Sequence, residues 1–339
     1  MDKPAVAIII LNWNGLKDTL ECLESVYQID YSNYKVVLVD NNSSDDSLKK
    51  IKEYCNGKIK VKSDFFEYNE YNKPIEVWEY SKEESESKVS RCLNCINSHL
   101  ILIKNDKNYG FAEGNNIGIR YALKNLNVDY ILLLNNDTVV NKDFLDKMVD
   151  VGETDASIGI VGPKIYYYND PNSIWCTGCK IDWKFARGRH VGINEVDIGQ
   201  YNKVKEFDYI SGSAFLIKKE VMDKTGLMDK KFFLFFEETD LALRASKEGY
   251  KSVYAPEAKI WHKVSKSGGG LSKPIGLYYI TRNRWLFMKK WAKKSDYAFF
   301  LLYQIVGAVV FPIFLSIYYR SWKLFGAYYH GLKDGLTVK

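Results

Sequence analysis

A chain of 339 residues with 46% hydrophobic and 27% charged side chains can bury a large core, which excludes a globally disordered protein. Six cysteines over that length lack the density of a secreted disulfide scaffold. The net charge of +6 is unevenly placed: carboxylates dominate residues 64–86, whereas past Lys259 only Asp296 and Asp334 oppose the lysines and arginines.

The apolar residues 6–11 are too few for a signal peptide and no small-residue cleavage site follows, so the body of the chain is expected in the cytoplasm. Residues 5–11 read as a buried strand ending in the loop Asn12-Trp13-Asn14-Gly15, and residues 19–27 as a helix. A second strand at 34–39 closes with Asp40-Asn41-Asn42-Ser43-Ser44; a helix at 45–54 and a third strand at 58–62 follow. Strand, polar loop and helix in this order predict an α/β sheet with a crevice at its carboxyl edge. Residues 65–98, rich in Glu, Tyr, Asn and Ser, break the rhythm and read as an insertion with weak helical signal at 83–95.

The pattern resumes with a strand at 100–104, a helix at 113–126 and a short apolar strand at 130–134, which stops at Asn135-Asn136-Asp137-Thr138. A helix at 143–151 and a strand at 158–167 come next. Residues 208–218 read as a strand interrupted at Gly212, and 232–236 lead through Glu237-Glu238-Thr239-Asp240 into a helix reaching 248. Residues 297–319 carry no charged side chain, although Gln304, Gly307 and Pro312 lie among them, and the run approaches bilayer-spanning length. Arg320, Trp322, Lys323, Tyr328 and Tyr329 follow, as at a headgroup layer. The expectation is a membrane-associated helix or helical hairpin, peripheral or tail-anchored at the cytoplasmic side of the cell membrane; a single span and a soluble packing surface are the alternatives.

Asp40 and Asp137 each follow a strand and so stand at the ligand edge of the sheet. Mg2+ and Mn2+ favour carboxylate, phosphate and water oxygens, so Asp137 can share such a cation with a diphosphate, while Asp40 can accept hydrogen bonds from a base or ribose. Ordinary loop carboxylates or helix caps are the competing reading. The run Asn108-Tyr109-Gly110-Phe111-Ala112-Glu113-Gly114-Asn115-Asn116-Ile117-Gly118 sets glycines around a helix start, where backbone N–H groups can meet phosphate. It matches neither GxGxxG nor GxxxxGK[ST], and a capped turn would use the same glycines.

Glu237, Glu238 and Asp240 cluster beside Phe235 and Phe236, where burial would raise a carboxyl pKa towards that of a general base. Glu238 is the first choice and Asp240 the reserve, against a solvated helix start. His262 can complete a metal shell, touch a diphosphate or be structural. Arg282 and Arg284 can neutralise phosphate or sit in surface ion pairs, and Trp13, Trp175 and Trp183 can line a sugar groove or pack in the core. The pairs Cys92/Cys95 and Cys176/Cys179 would together offer four thiolates to a structural Zn2+, with redox chemistry or unliganded thiols as alternatives.

The motifs Asn12-Trp13-Asn14, Val39-Asp40-Asn41-Asn42-Ser43, Asn108-Tyr109-Gly110-Phe111-Ala112, Asn135-Asn136-Asp137, Ser211-Gly212-Ser213-Ala214-Phe215 and Phe236-Glu237-Glu238-Thr239-Asp240-Leu241, in this order, resemble the family 2 inverting glycosyltransferases, especially their rhamnosyltransferase-like branch. The resemblance runs from Val6 to about Trp285 and implies an α/β GT-A fold, a mostly parallel central sheet flanked by helices. It implies a catalytic domain over 1–285, with a nucleotide-binding half at 1–140, an acceptor-binding half at 141–285 and the insertion at 65–98, followed by a helical apolar tail at 286–339. Around the nucleotide sugar it places Asn12, Asn14, Asp40, Asn42, Asn108, Gly110, Phe111, Asn115, Asn136, Gly212 and Arg282. Asp137 and His262 would hold Mg2+ or Mn2+, and Glu238 would deprotonate the acceptor hydroxyl.

Two positions depart from the family pattern: Asn135 replaces the first Asp of the DxD-like motif, and Glu238 replaces an Asp. The resemblance implies dTDP-rhamnose first and UDP-hexoses second as donors, with a saccharide or lipid-linked acceptor in surface polysaccharide or cell-wall assembly. A catalytically idle glycan-binding or assembly subunit and a nucleotidyltransferase are the competing functions. Self-association into a homo-oligomer is compatible with the sequence. Nucleic acid is not expected, because the basic residues gather around the apolar tail and form no nucleic-acid module.

Overall fold

The computed structural model describes residues 3–87, 99–264 and 270–338. Its first half alternates β1 (Val6–Asn12), α1 (Leu16–Val26), β2 (Tyr34–Asp40), α2 (Ser47–Cys55), β3 (Glu76–Ser81), the single turn α3 (Lys82–Ser85), β4 (His99–Lys104), α4 (Gly110–Asn125) and β5 (Tyr130–Asn135). The second half runs β6 (Thr138–Val140), α5 (Phe144–Glu153), β7 (Ile158–Tyr167), β8 (Ser173–Cys176), β9 (Cys179–Asp182), β10 (Arg187–His190), β11 (Glu195–Val196), β12 (Lys205–Phe207), β13 (Ala214–Lys218), α6 (Lys219–Thr225), α7 (Glu237–Lys247) and β14 (Lys251–His262). Three helices close the chain: α8 (Pro274–Trp291), α9 (Lys294–Tyr318) and α10 (Lys323–Thr337).

The main sheet has the order β11-β8-β7-β13-β5-β1-β2-β4-β3. From β5 through β3 the strands are parallel, and β13 joins β5 antiparallel. The central strands are apolar on both faces because helices cover both: Val6 to Ile10 of β1 and Val36 to Val39 of β2 are all buried. Full burial of each such side chain contributes about 1.5–3 kcal/mol. Since β1 feeds β2 on one side and borders β5 on the other, the strand order reverses beside β1, and a crevice opens where β1 and β5 end.

Residues 58–62 do not form the expected third strand. Ile59 and Val61 do pack on the core, but β3 occupies the β4 edge and takes its ladder hydrogen bonds. That strand comes from the stretch expected as an insertion, where Trp78 and Tyr80 are buried and Glu76, Glu79 and Ser81 are exposed. A buried ion pair ties the same stretch to α1: Lys73 Nζ lies 2.9 Å from Glu24, which also accepts from Tyr54 Oη at 2.7 Å. Residues 88–98, including Cys92 and Cys95, lie outside the described residues, as do 265–269. The strand expected at 208–218 is confined to Ala214–Lys218.

The tail is helical. Among the described residues no single helix is long and apolar enough to cross a membrane; the halves Lys294–Ile305 and Gly307–Tyr318 of α9 meet at 56°. Pro312 lacks the N–H that would bond the Ala308 carbonyl, and Tyr329 Oη donates to that carbonyl instead at 2.7 Å. In α10, Gly331 and Gly335 lie against the α8 backbone: a Cβ on Gly331 would stand 2.6 Å from the Tyr278 carbonyl oxygen. Side chains at these positions would push α10 away from α8.

Candidate active site

The loops after β1, β2 and β5 are joined by side-chain hydrogen bonds. Asn12 Nδ2 donates to Asp40 Oδ1 (2.7 Å) and to Ser43 Oγ (3.1 Å), and its Oδ1 accepts from Thr19 Oγ1 (2.8 Å). Asn136 Nδ2 donates to Thr19 Oγ1 (2.8 Å) and closes the crevice from the β5 side. Asn14 Oδ1 accepts from the Ser44 amide at 2.7 Å. Asp40 is fully buried and also accepts from Ser43 Oγ (2.6 Å) and the Ser43 amide (3.0 Å). Its carboxylate is therefore bound into the floor of the crevice, rather than standing open at its lip as its strand-end position suggested. Asn42 is exposed in the left-handed region (φ 60°).

The glycine run does not present free helix-terminal N–H groups. The amides of Phe111 and Ala112 both donate to the Phe233 carbonyl, at 2.6 and 3.2 Å, so the expected phosphate contact at the start of α4 is not available. Gly110, at φ 77°, is needed because a Cβ there would stand 2.5 Å from the Phe233 ring. Asn108 Oδ1 accepts from Gly110 N (2.8 Å) and Asn41 Nδ2 (2.9 Å), and Asn115 Nδ2 bonds the Phe111 carbonyl (2.9 Å). These residues build the turn; a capped turn is the reading the geometry favours.

Asp137 stands between β5 and β6. Because β6 pairs with β14 with Thr138 opposite His262, the two side chains meet: His262 Nε2 lies 3.0 Å from Asp137 Oδ1. Burial opposes ionisation of Asp137, but attraction to the His262 ring and its hydrogen bond outweigh it and hold the carboxyl below its ordinary pKa. His262 Nδ1 is buried without a partner. Asp137 Oδ1 and His262 Nε2, 3.0 Å apart, can both reach one divalent cation, and a carboxylate with an imidazole suits Mg2+ or Mn2+ that also takes phosphate and water oxygens. Lys263, on the next residue, has its ammonium neutralised by Asp18 (2.7 Å) and Glu21 (2.6 Å).

Glu238 lies on the same edge. The Asn135 amide donates to the Ser213 carbonyl at 2.9 Å, and Gly212, the residue before, faces Glu238: a Cβ on Gly212 would be 3.5 Å from its carboxyl carbon. Burial pushes Glu238 up to about 7, against the backbone N–H groups of its own helix start, which favour the anion. Glu237 is raised well above the usual range by burial and by repulsion from Glu238, and its Oε2 has no partner. Asp240, the reserve base, is excluded by its contacts. It is fully buried, with Arg244 (2.9 Å) on one oxygen and Lys290 (2.7 Å) and Trp291 Nε1 (2.8 Å) on the other, and so pins α7 to α8.

The loop leading into α7 is strained: Phe233, Phe235 and Phe236 all have positive φ. Asn283, buried on α8, holds it by donating Nδ2 to the carbonyls of Phe232 (2.7 Å), Leu234 (2.8 Å) and Phe235 (2.9 Å). Arg282, expected at phosphate, bonds Asn283 Oδ1 through Nη1 at 2.9 Å. The family resemblance pairs Arg282 with Asn283 as a landmark near diphosphate or metal; here Asn283 is instead engaged by the carbonyls of the loop before α7, and Arg282 by Asn283.

Trp175 packs edge-on against His262 (4.8 Å between ring centroids) and His190 (4.4 Å), which puts it at the site, whereas Trp183 stacks on Phe287 in a separate core cluster. His190 is pushed down to about 4 by burial and by repulsion from His262. Trp13 is exposed on the loop after β1. An open cleft of about 840 Å³ lies beside Asn14, Gly15 and Lys62, but Asp137, His262 and Glu238 do not line it.

Residues 76–287 match the family described as "Glycosyltransferase like family 2", and residues 7–73 match "Glycosyl transferase family 2". The chain is 24% identical over 205 residues to the low-salt glycan biosynthesis hexosyltransferase Agl10 of Haloferax volcanii, covering 59% of this chain and 64% of that protein. It is 26% identical over 199 residues to the dTDP-rhamnosyl transferase RfbF of Shigella flexneri, covering 57% and 63%. Each match thus spans less than two thirds of the relative. The mannosyltransferase PcManGT of Pyrobaculum calidifontis, solved with GDP-Man and Mn2+, superposes with a TM-score of 0.56 at 14% identity, over 99% of this chain and 88% of its own. That likeness is one of fold, and the fold is GT-A.

Proposed function

The chain belongs to glycosyltransferase family 2, and from that premise we propose that it transfers rhamnose or a hexose from a nucleoside-diphosphate sugar to a saccharide or lipid-linked acceptor, inverting the anomeric carbon. The observation that carries the reading is the Asp137–His262 pair after β5, together with the raised carboxyl of Glu238 facing Gly212, one residue before the Ser213 carbonyl that accepts from the Asn135 amide. Glu238 takes the proton of the acceptor hydroxyl as its oxygen bonds the anomeric carbon, and the bond from that carbon to the diphosphate oxygen breaks with its electron pair leaving on the phosphate. A divalent cation held by Asp137 and His262 would neutralise the charge gathering on the departing diphosphate. Asn12, Asn136 and Thr19 hold the crevice between β1 and β5 in shape, and Trp175 fixes the His262 ring.

The site works at a membrane surface in this reading. Leu302, Ile305, Val309, Val310, Phe314 and Ile317 of α9 are all more than half exposed, and Lys293, Lys294, Arg320 and Lys323 stand at its two ends. An apolar face with basic flanks suits the boundary between headgroups and acyl chains of an anionic bilayer.

The test is transfer by the full chain from dTDP-rhamnose and UDP-hexoses to lipid-linked saccharides, with Mg2+, Mn2+ or EDTA, the product anomer being read by NMR. Inverted product, lost in EDTA and reduced at least about 100-fold in Asp137→Ala, is expected. Full turnover by Asp137→Ala in EDTA would overturn the metal assignment, and a retained anomer would overturn the single displacement.

A further inference from the structure

Two cysteines and a histidine that the transfer chemistry does not use come together beside it. Cys176 ends β8 and Cys179 begins β9, so the Thr177-Gly178 turn folds both thiols to the same side. Both are buried and unoxidised, with Sγ atoms 3.6 Å apart. In the β9–β10 ladder His190 is paired directly with Cys179, and the ligand atoms of all three residues lie within 4.8 Å of one another.

The turn is set in advance. The Thr177 amide donates to the Val191 carbonyl (3.0 Å) and the Val191 amide to the Gly178 carbonyl (2.9 Å), which clamps the CxxC turn to the residue after His190. Two sulfurs about 2.3 Å from a shared tetrahedral centre stand about 3.8 Å apart, close to the spacing here, whereas a disulfide needs about 2.05 Å. Two soft sulfurs and one imidazole select zinc over the hard cations that suit Asp137.

We propose that Cys176, Cys179 and His190 bind one zinc ion, with solvent in the fourth position, and that this ion fixes the β8–β10 hairpins against the transfer site. The ion replaces the four-cysteine arrangement, in which Cys92 and Cys95 would join the other pair, by a Cys2His set that a single hairpin region supplies. The positioning role rests on the function proposed above; zinc binding does not. The link to the site is direct. Trp175, next to Cys176, has its ring against both His190 and His262, and Tyr209, whose hydroxyl neighbours Cys179, is also close enough to Glu238 to sense its charge.

The experiment is metal analysis of the full chain after dialysis, followed by reconstitution with Zn2+ or Co2+. About one equivalent of zinc is expected in the wild type and in Cys92→Ser/Cys95→Ser, and less than about one fifth of an equivalent in Cys176→Ser and in His190→Ala. The cobalt form should show thiolate-to-metal charge-transfer absorption, absent in Cys176→Ser, while circular dichroism checks that each variant is folded. Should Cys176→Ser not fold, His190→Ala and the wild-type cobalt spectrum carry the test. A wild type that takes up no zinc on reconstitution overturns the proposal. Retention of zinc by His190→Ala with loss in Cys92→Ser/Cys95→Ser does so too, in favour of four cysteines. Zinc bound as expected, in a chain inactive towards every donor, would leave this site standing and remove only the transfer reading.

Discussion

Glu237 and Glu238 begin the same helical turn, yet burial leaves them different tasks. Glu238 faces Gly212 and the catalytic edge, with Glu237 on its own helix and Tyr209 and Cys179 opposite as the titratable neighbours. Desolvation holds the Tyr209 phenol well above its ordinary pKa, so it is uncharged near neutrality, and Cys179 is committed to the proposed zinc site; Glu238 therefore titrates mainly against Glu237. A general base works ionised, so kcat/KM should rise with pH through about 7 and level off above it. Glu238→Gln should keep donor affinity and lower kcat by about 10²–10⁴-fold with that rise abolished; unchanged turnover would move the base elsewhere. Glu237 bears on stability, in the same sense as any buried carboxyl with a raised pKa. Its folded pKa lies above the unfolded one, so its favourable share is complete below the unfolded value and is lost as pH rises towards the folded one. Glu237→Gln should therefore leave stability at pH 4 nearly unchanged and raise it above about pH 5, by up to about 1.4 kcal/mol per pH unit until the folded pKa is passed. Denaturant melts at several pH values decide it, and a gain equal at all of them would contradict the titration.

At the scale of elements, the segment 232–236 is where α4, α7 and α8 meet. Its three positive-φ phenylalanines are conformations that cost about 1–2 kcal/mol each and persist only when neighbours enforce them. Two neighbours do so: the first amides of α4 on the Phe233 carbonyl, and Asn283 on three others. Asn283→Ala would leave those three carbonyls without their donor, costing about 2–4 kcal/mol and lowering the midpoint of thermal unfolding by about 3–6 °C. Because the same loop aims Glu238, kcat should fall more than KM rises, and a variant with wild-type kcat would separate Asn283 from the site. Gly110→Ala meets both a positive φ and the Phe233 ring, so it should displace the same loop from the other side.

For the whole molecule, α8 and α10 pack backbone to backbone through Gly331 and Gly335, and α9 is left with its apolar side outward. Vesicles containing anionic lipid should sediment the full chain. Replacing Ile305, Val309 and Phe314 with Ser should weaken that binding by at least about tenfold while leaving transfer to a water-soluble acceptor intact. Equal binding by the variant would remove α9 as the contact. Raising the salt concentration should weaken the wild type as well, since Lys293, Lys294, Arg320 and Lys323 act through screened charge.

The chain by itself determined its strands wherever both faces are covered. The runs at 6–10, 36–39 and 130–134 are continuously apolar, because every position in them is buried. It also determined that Asp137 and Glu238 follow strand and loop ends, where ligands gather. Which segment pairs with β4 was settled by the folded sheet, since 58–62 and 76–81 both carry apolar residues among charged ones and just one can take the ladder. Partners likewise decided the roles of Asp40, Asp240 and the start of α4, whose oxygens and amides are engaged by residues far along the chain. The same holds for His190, which local periodicity does not single out and which reaches Cys179 only because β9 and β10 pair. Burial patterns are periodic and can be read in one dimension; a hydrogen bond or ligand set between distant residues depends on register, which exists only once the sheet has formed.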